Sequence, residues 1–231
     1  MNSILQENLL NVRQRIARQC AASGRDPGGV QLLAVSKTFP LAAILEAHQA
    51  GQTQFGENYI QEGVDKILAC HARPACRDME WHCIGPIQSN KTRLVATHFD
   101  WVHSVDRLKI AQRLSEQRPQ DLPPLNVCIQ VNIDGGANKA GVAPADALDL
   151  ARQVAALPRL HLRGLMTIPE PAPDHATALS THQAAKALWD RMRDAGVAMD
   201  TLSLGMSADL EAAVAAGSTM VRVGSALFGS R

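Results

Sequence analysis

Short apolar runs alternate with longer segments of helical periodicity along the whole chain. Residues 3–22 place Leu5, Leu9, Val12, Ile16 and Cys20 on one stripe, with Arg13, Arg15 and Arg18 mostly off it. That pattern predicts an amphipathic helix. Gly24, Asp26, Pro27, Gly28 and Gly29 make a turn. Leu32–Val35 follows as a short, uncharged, partly β-branched run that meets Lys37 and stops at Pro40. Such a run reads as a strand buried on both faces. Leu41–Ala50 then reads as a helix closed by Gly51.

The alternation continues to the end of the chain. Further strands are predicted over Thr53–Phe55, Glu80–Ile84, Phe99–His103, Asn126–Ile133 (the longest), His161–Met166, Thr201–Leu204 and Met220–Val223. Helices are predicted from Tyr59 to near Ala69, from Arg107 to near Gln117, and over Pro144–Ala156, His175–Ala195 and Asp209–Ala216. Asp134–Gly141 is a Gly-rich loop and Pro169–Pro173 a stiff one. Strands nearly always followed by helices call for parallel pairing. Eight such units in 231 residues fit an α/β fold, a (β/α)8 TIM barrel with an extra N-terminal helix. A doubly wound open sheet is the alternative, but its first βα turn would want G-x-G-x-x-G, which is missing here. No linker or low-complexity tract divides the chain, so one domain is expected over residues 1–231.

Composition narrows the function. Hydrophobic residues make up 46%, enough for a sizeable core. A net charge of +1, no basic tract and 3% aromatic residues argue against nucleic acid as a partner. No apolar stretch is long enough to span a bilayer, and the first residues lack a signal-peptide pattern. Five cysteines without a disulfide-like arrangement fit a reducing cytoplasm. Cys70, His71, Cys76, His82 and Cys83 cluster without the paired spacing of a zinc site, so no metal is expected. His48, His71, His98, His161, His175 and His182 read as surface or core-rim residues, and Trp101 and Trp189 as packing.

A lysine at the end of a buried strand lies at the rim of a core. Partial desolvation there lowers its pKa and frees a neutral amine to attack a carbonyl. Schiff-base lysines are made this way, and a solvated strand-end lysine is the plain alternative for Lys37. In a barrel the active site lies at the C-terminal ends of the strands, with a phosphate often bound by the loops after strands seven and eight. Those loops here are Leu204-Gly205-Met206-Ser207-Ala208-Asp209 and Val223-Gly224-Ser225-Ala226. Ser207 is expected as the N-cap of the next helix, and Gly224 and Ser225 offer bare backbone N–H and a hydroxyl. Arg222 interrupts an apolar strand and needs a partner, either a carboxylate or a ligand atom in the barrel mouth. Lysine, phosphate cup and strand-eight arginine together suggest pyridoxal 5′-phosphate (PLP).

At these residues the chain resembles a known family. The stretches that carry the resemblance are Val35-Ser36-Lys37-Thr38, Phe55-Gly56-Glu57-Asn58-Tyr59, Trp81-His82-Cys83-Ile84-Gly85, Gln88-Ser89-Asn90-Lys91, His103-Ser104-Val105-Asp106, Lys139-Ala140-Gly141, Arg163–Ile168, Leu204–Leu210 and Val221–Gly229. In order, from residue 5 to residue 229, they are similar to the pyridoxal phosphate homeostasis proteins, relatives of the N-terminal barrel of alanine racemase. The resemblance implies a fold-type III PLP barrel with Lys37 as the Schiff-base lysine. It implies Ser207, Gly224 and Ser225 around the phosphate, Arg222 at the pyridine nitrogen, and Asn58 and His82 beside the ring. Ser225 stands where the family often has threonine and keeps the hydroxyl.

An arginine stays protonated and leaves a facing pyridine nitrogen unprotonated, which weakens the ring as an electron sink. Racemisation also needs a second acid/base, for which Tyr59, His82 and His103 are the candidates. The expectation is therefore a PLP-binding protein of vitamin B6 and amino-acid homeostasis, with little or no turnover and no established catalytic residue. It would be a cytoplasmic monomer that passes PLP transiently to apo PLP-dependent enzymes, with Lys139 either a second lysine able to capture it or a plain solvated loop lysine. A monomeric PLP-dependent amino-acid racemase is the alternative. A weaker third reading is a phosphate-sugar barrel enzyme in which Lys37 serves as an aldolase lysine.

Overall fold

The computed structural model describes residues 3–136 and 139–229, so Ala137 and Asn138 of the expected Gly-rich loop lie outside the described residues. The order is α1 (Ile4–Ala22), β1 (Gln31–Val35), α2 (Leu41–Gln49), β2 (Gln54–Glu57), α3 (Ile60–His71), β3 (Glu80–Cys83), α4 (Thr92–His98), β4 (Trp101–Val105), α5 (Leu108–Gln117), β5 (Leu125–Gln130), α6 (Ala147–Ala155), β6 (Leu160–Met166), α7 (His175–Asp194), β7 (Thr201–Ser203), α8 (Leu210–Ala215), β8 (Met220–Val223) and α9 (Ser225–Phe228). The strands close in sequence order into a parallel barrel, with β8 pairing back onto β1 so that Leu33 lies beside Arg222. This is the TIM barrel that the alternation of elements predicts.

Most strand boundaries shift by one or two residues from the sequence expectation, and those of β4 and β5 have a clear cause. Phe99 and Asp100 lie outside β4, because the short helix α4 ends there and the Phe99 N–H bonds to Val95. β5 stops at Gln130 because the chain folds back on itself: Val131 bridges Val142, and Val142 N–H donates to Gln130 O at 2.9 Å. Gly141, at φ 120, permits that close approach, since a Cβ there would fall 2.6 Å from Asn132 N. β6, not β5, is the longest strand.

Strand alternation separates two apolar layers. Leu32, Ala34, Phe55, Trp81, Val102, Val127, Leu165, Leu202 and Val221 face the helices in one continuous cluster. Inside the barrel are two small groups, Leu33, Ile84 and Met220 with Val35, and Trp101, Cys128 and Met166. Helix α1 begins at a capping box of Ser3 and Gln6 and buries the stripe Leu5, Leu9, Val12, Ile16 and Cys20, as its periodicity predicts. It packs beside α8 and α9, and Arg15 grips Glu211 at 2.7 and 2.8 Å and the carbonyl of Ser207 at 3.0 Å.

One extra residue, Arg163, interrupts the β5–β6 register: Val127 pairs Leu162, but Cys128 pairs Gly164. The bulge turns Arg163 onto Asp200 and Asn126 and over the Trp101 ring, 4.6 Å from its centroid. Gly164 then lies so close to β7 that a Cβ would fall 1.6 Å from Thr201 O. Gly164→Ala should therefore cost on the order of 3 kcal/mol, whereas an unhindered control, Gly29→Ala, should shift stability by no more than about 0.5 kcal/mol. Urea unfolding of the two variants beside the parent checks this, and equal midpoints would refute it.

Candidate functional site

The turns at the C-terminal ends of β1, β2, β7 and β8 form the mouth. Lys37 is half-buried, beyond the end of β1, in a turn closed by the Phe39 N–H donating to Ser36 O at 3.1 Å. Asn58 follows β2 and is packed against Gly85, where a Cβ would fall 2.2 Å from Asn58 O. Its Oδ1 is buried without a hydrogen-bond partner among the described residues, as are Asn132 Oδ1 after β5 and Thr167 Oγ1 after β6.

The two turns expected to form a phosphate cup are tied to each other. Ser207 Oγ accepts from Ala226 N–H at 3.4 Å, which links the turn after β7 to the first turn of α9. Gly224 lies against the end of β1, and a Cβ there would meet Val35 O at 3.2 Å. Ser207 is not the N-cap of the following helix. α8 starts at Leu210 with Asp209 at the cap position, and the Asp209 carboxylate accepts from Met206 N–H at 2.6 Å and from His182 Nε2 at 2.8 Å. Asp209 itself makes no side-chain cap hydrogen bond, its carboxylate instead folding back on the turn before the helix, and the Ser207 hydroxyl accepts from Ala226 across the mouth. His182, expected at the rim, is fully buried by this pairing.

Arg222 projects into the barrel and is 3% exposed. Its guanidinium bonds to no carboxylate among the described residues. Nη1 donates to Ser203 O at 2.8 Å and Ser203 Oγ at 2.6 Å, and Nη2 donates to Thr167 O at 2.7 Å. From Ser203 a chain of contacts crosses the interior, to His103 Nδ1 (3.1 Å), from His103 Nε2 to His82 Nδ1 (2.9 Å), and from His82 Nε2 to Glu80 (2.9 Å). His82 also stacks on Trp101, with centroids 5.2 Å apart.

Protonation fixes the direction of this chain. Burial opposes the Glu80 charge, but the His82 hydrogen bond and neighbouring charges outweigh it and lower the carboxyl's pKa, so Glu80 only accepts. Burial holds both histidines neutral: it lowers His82 despite Glu80, and it drives His103 well below its usual value, helped by His82 and Arg222. Each neutral ring has one donor and one acceptor. His82 Nε2–H therefore donates to Glu80, His103 Nε2–H to His82, Ser203 O–H to His103, and Arg222 to Ser203. Burial brings the Arg222 pKa down to about 10, which leaves it charged at neutral pH.

The sequence-predicted residues do not all share one surface. Lys37, Asn58, Ser207, Gly224 and Ser225 line the mouth, whereas His82 and His103 lie beneath it, fully buried with both ring nitrogens engaged. Tyr59, the other candidate acid/base, is 55% exposed at the start of α3. Lys139 Nζ donates to Ile168 O at 3.0 Å and lies 3.2 Å from Glu170 and 3.7 Å from Asp134, bridging the loops after β5 and β6. Sequence reasoning missed Ser203, Glu80 and Thr167. Polar residues on the inward parity of β3, β4, β7 and β8 were the available signal.

The neutral buried histidines make stability depend on pH. The unfolded chain takes up protons near the ordinary histidine value of 6.5, while the folded chain takes them up only at lower pH. The unfolded state then binds more protons, so stability falls as pH drops below 6.5, by at most about 1.4 kcal/mol per pH unit for each histidine. Urea unfolding at pH 7.5 and 5.5 should show this loss, and a shallower loss in His103→Gln; parallel profiles would remove His103 as a source.

Comparison with known proteins agrees with this architecture. The family model described as alanine racemase, N-terminal domain, matches residues 5–231. A Pseudomonas aeruginosa protein named pyridoxal phosphate homeostasis protein is 57% identical over 229 residues, 99% of this chain and 96% of that relative. An Escherichia coli protein of the same name is 53% identical over 231 residues, 100% of this chain and 98% of its own. The structure of PipY from Synechococcus elongatus with PLP bound superposes with a TM-score of 0.79 at 38% identity, covering 93% of this chain and 100% of that one. On the barrel, its mouth and this full-length similarity together, the chain belongs to the pyridoxal phosphate homeostasis protein family, within the wider family of alanine racemase N-terminal domains.

Proposed function

We propose that the barrel mouth binds PLP as a Schiff base on Lys37, and that the chain regulates intracellular PLP (vitamin B6) and amino-acid homeostasis with little or no turnover. One observation carries this reading: Gly224, beside the Ser207–Ala226 link, packs on the end of the lysine's own strand, and the adjacent strand, β8, carries the buried Arg222 inside the barrel. The PLP named in the PipY structure supports it.

The donor set fits such a group. Gly224 leaves the cup floor without a side chain, and Asn58 Oδ1 and Thr167 Oγ1 are buried oxygens still lacking partners among the described residues. When bound, PLP supplies an aldehyde that condenses with an amine, releasing water, and a ring that withdraws electrons from the attached carbon. Lys37 offers that amine. Ser207, Gly224 and Ser225 hold the phosphate, and Asn58 lies beside the ring. Arg222 faces the ring nitrogen as a donor that keeps its own proton, so the ring's electron demand stays modest. His82 acts from beneath, through His103 and Ser203, by fixing Arg222. Neither buried histidine has a nitrogen left for substrate, which leaves Tyr59 as the acid/base a racemase would need. Five buried free thiols suit a reducing cytoplasm, and no helix among the described residues is long and apolar enough to cross a membrane. The protein acts as a monomer and hands PLP to apo PLP-dependent enzymes.

The absorption spectrum tests the assignment. The purified chain with added PLP should show a visible band that borohydride locks onto Lys37, and Lys37→Ala should lack it. A chain that stays colourless would overturn the reading and favour the phosphate-sugar alternative. Ser207→Ala should keep the band but release PLP more readily, by about tenfold, for the loss of one hydrogen bond to a charged group. Equilibrium dialysis measures that loss.

A further inference from the structure

Directly behind the Lys37 turn lies a buried ionic cluster that the cup and the Arg222 chain do not involve. Glu57 closes β2 and is 0% exposed, and Lys66 of α3 is 8% exposed. Lys66 Nζ donates to Ser36 O at 2.8 Å, to Glu57 Oε1 at 2.7 Å and to Glu62 Oε1 at 2.6 Å, which uses all three of its N–H bonds. Ser36 Oγ–H donates to the same Glu57 oxygen at 2.6 Å. The Thr38 N–H donates to Glu62 Oε1 at 2.5 Å.

Every thread of this cluster ends on a neighbour of Lys37. Ser36 is held by its carbonyl and its hydroxyl, and Thr38 by its N–H. Thr38 is also one of two non-glycine residues with positive φ among the described residues, at 66°, an unfavourable region for a β-branched side chain. Such a conformation persists only where its surroundings over-determine it, and it concentrates at functional sites. A buried ion pair is moreover a poor way to stabilise a fold, since apolar packing of equal volume does as well. Gly63 lets α3 approach: a Cβ there would fall 2.6 Å from the Phe99 ring and 3.2 Å from Glu57 Cβ.

We propose that Lys66, Glu57 and Glu62 are positioning residues for Lys37: acting through Ser36 and Thr38, they fix the backbone on both sides of it and so set the direction in which its amine meets a carbonyl. This deepens the assignment of Lys37 as the PLP anchor and rests on it.

The test compares the full chain, cleared of PLP, with Glu62→Ala and Lys66→Met. Two rates are read on each: capture of added PLP, from the visible band, and acetylation of Lys37 by acetic anhydride, mapped by mass spectrometry relative to exposed Lys109. Both variants should capture PLP more slowly, by about tenfold or more, because misplacement of a reacting group by an ångström has effects of that size. Lys37 acetylation should rise as the turn loosens. Glu62 is partly exposed, so Glu62→Ala should melt near the parent temperature and keep the result interpretable if Lys66→Met unfolds. Opposite movement of the two rates without a change in melting is what a merely structural role would not produce. Parental rates on both counts in Glu62→Ala would overturn the proposal. If the parent captures no PLP on Lys37, the PLP reading fails while the acetylation ratio still decides the clasp.

Discussion

Arg222 enters a closed barrel with no carboxylate bonded to it among the described residues, and its charge is met there by neutral acceptors held in place. Much of the interior follows from that requirement. Ser203 presents two oxygens to Nη1, and Thr167 presents its carbonyl to Nη2. Ser203 can accept from the arginine because its own proton goes to His103. His103 can accept because its other nitrogen donates to His82, which in turn donates to Glu80. A carboxylate on one side of the barrel thereby fixes which way the Ser203 hydroxyl proton points and leaves its oxygen to accept from the guanidinium. Removing any link leaves a buried polar group unpaired, which costs more than the bond is worth in isolation.

The mouth is built by the same economy of shared oxygens and close backbones. Ser207 bonds across to Ala226, its carbonyl takes Arg15 from α1, and Arg15 is held in turn by Glu211 of α8. The N-terminal helix is thus part of the cup's support, which explains why an element outside the eight-fold repeat is packed beside α8 and α9. Gly224 against Val35 joins the cup to the lysine's strand, and Gly85 against Asn58 joins the turns after β2 and β3. These are places where one added carbon would push apart turns that the barrel brings together at its mouth.

A good part of this was legible along the chain. Leu5, Leu9, Val12, Ile16 and Cys20 announce α1, and the eight apolar runs announce the barrel, because burial imposes its period on residue type. Lys37, Arg222 and the two small turns stand out as chemistry placed where apolar or plain loop residues are expected. Other features resisted reading. α4 and α9 are only 7 and 4 residues long and lack side-chain caps, so they leave little periodic signal. The N-cap role expected of Ser207 failed because α8 starts later, at Leu210, and the Ser207 hydroxyl takes the N–H of Ala226 from a turn far away in sequence.

The sequence by itself determined the order and type of the elements and their parallel pairing, and it singled out the lysine, the arginine and the two small turns as candidate chemistry. Those depend on local periodicity and on residue chemistry, which one strand carries alone. Tertiary structure decided which polar groups meet. His82 and His103 are 21 positions apart and His103 and Ser203 are 100 apart, yet barrel closure aims all three at one axis. The same closure turned His82 and His103 from open acid/base candidates into buried links of the arginine's support. It also placed Lys66 under the backbone of Lys37, a relation that no spacing along the chain encodes, because it arises only when α3 packs across the ends of β1 and β2.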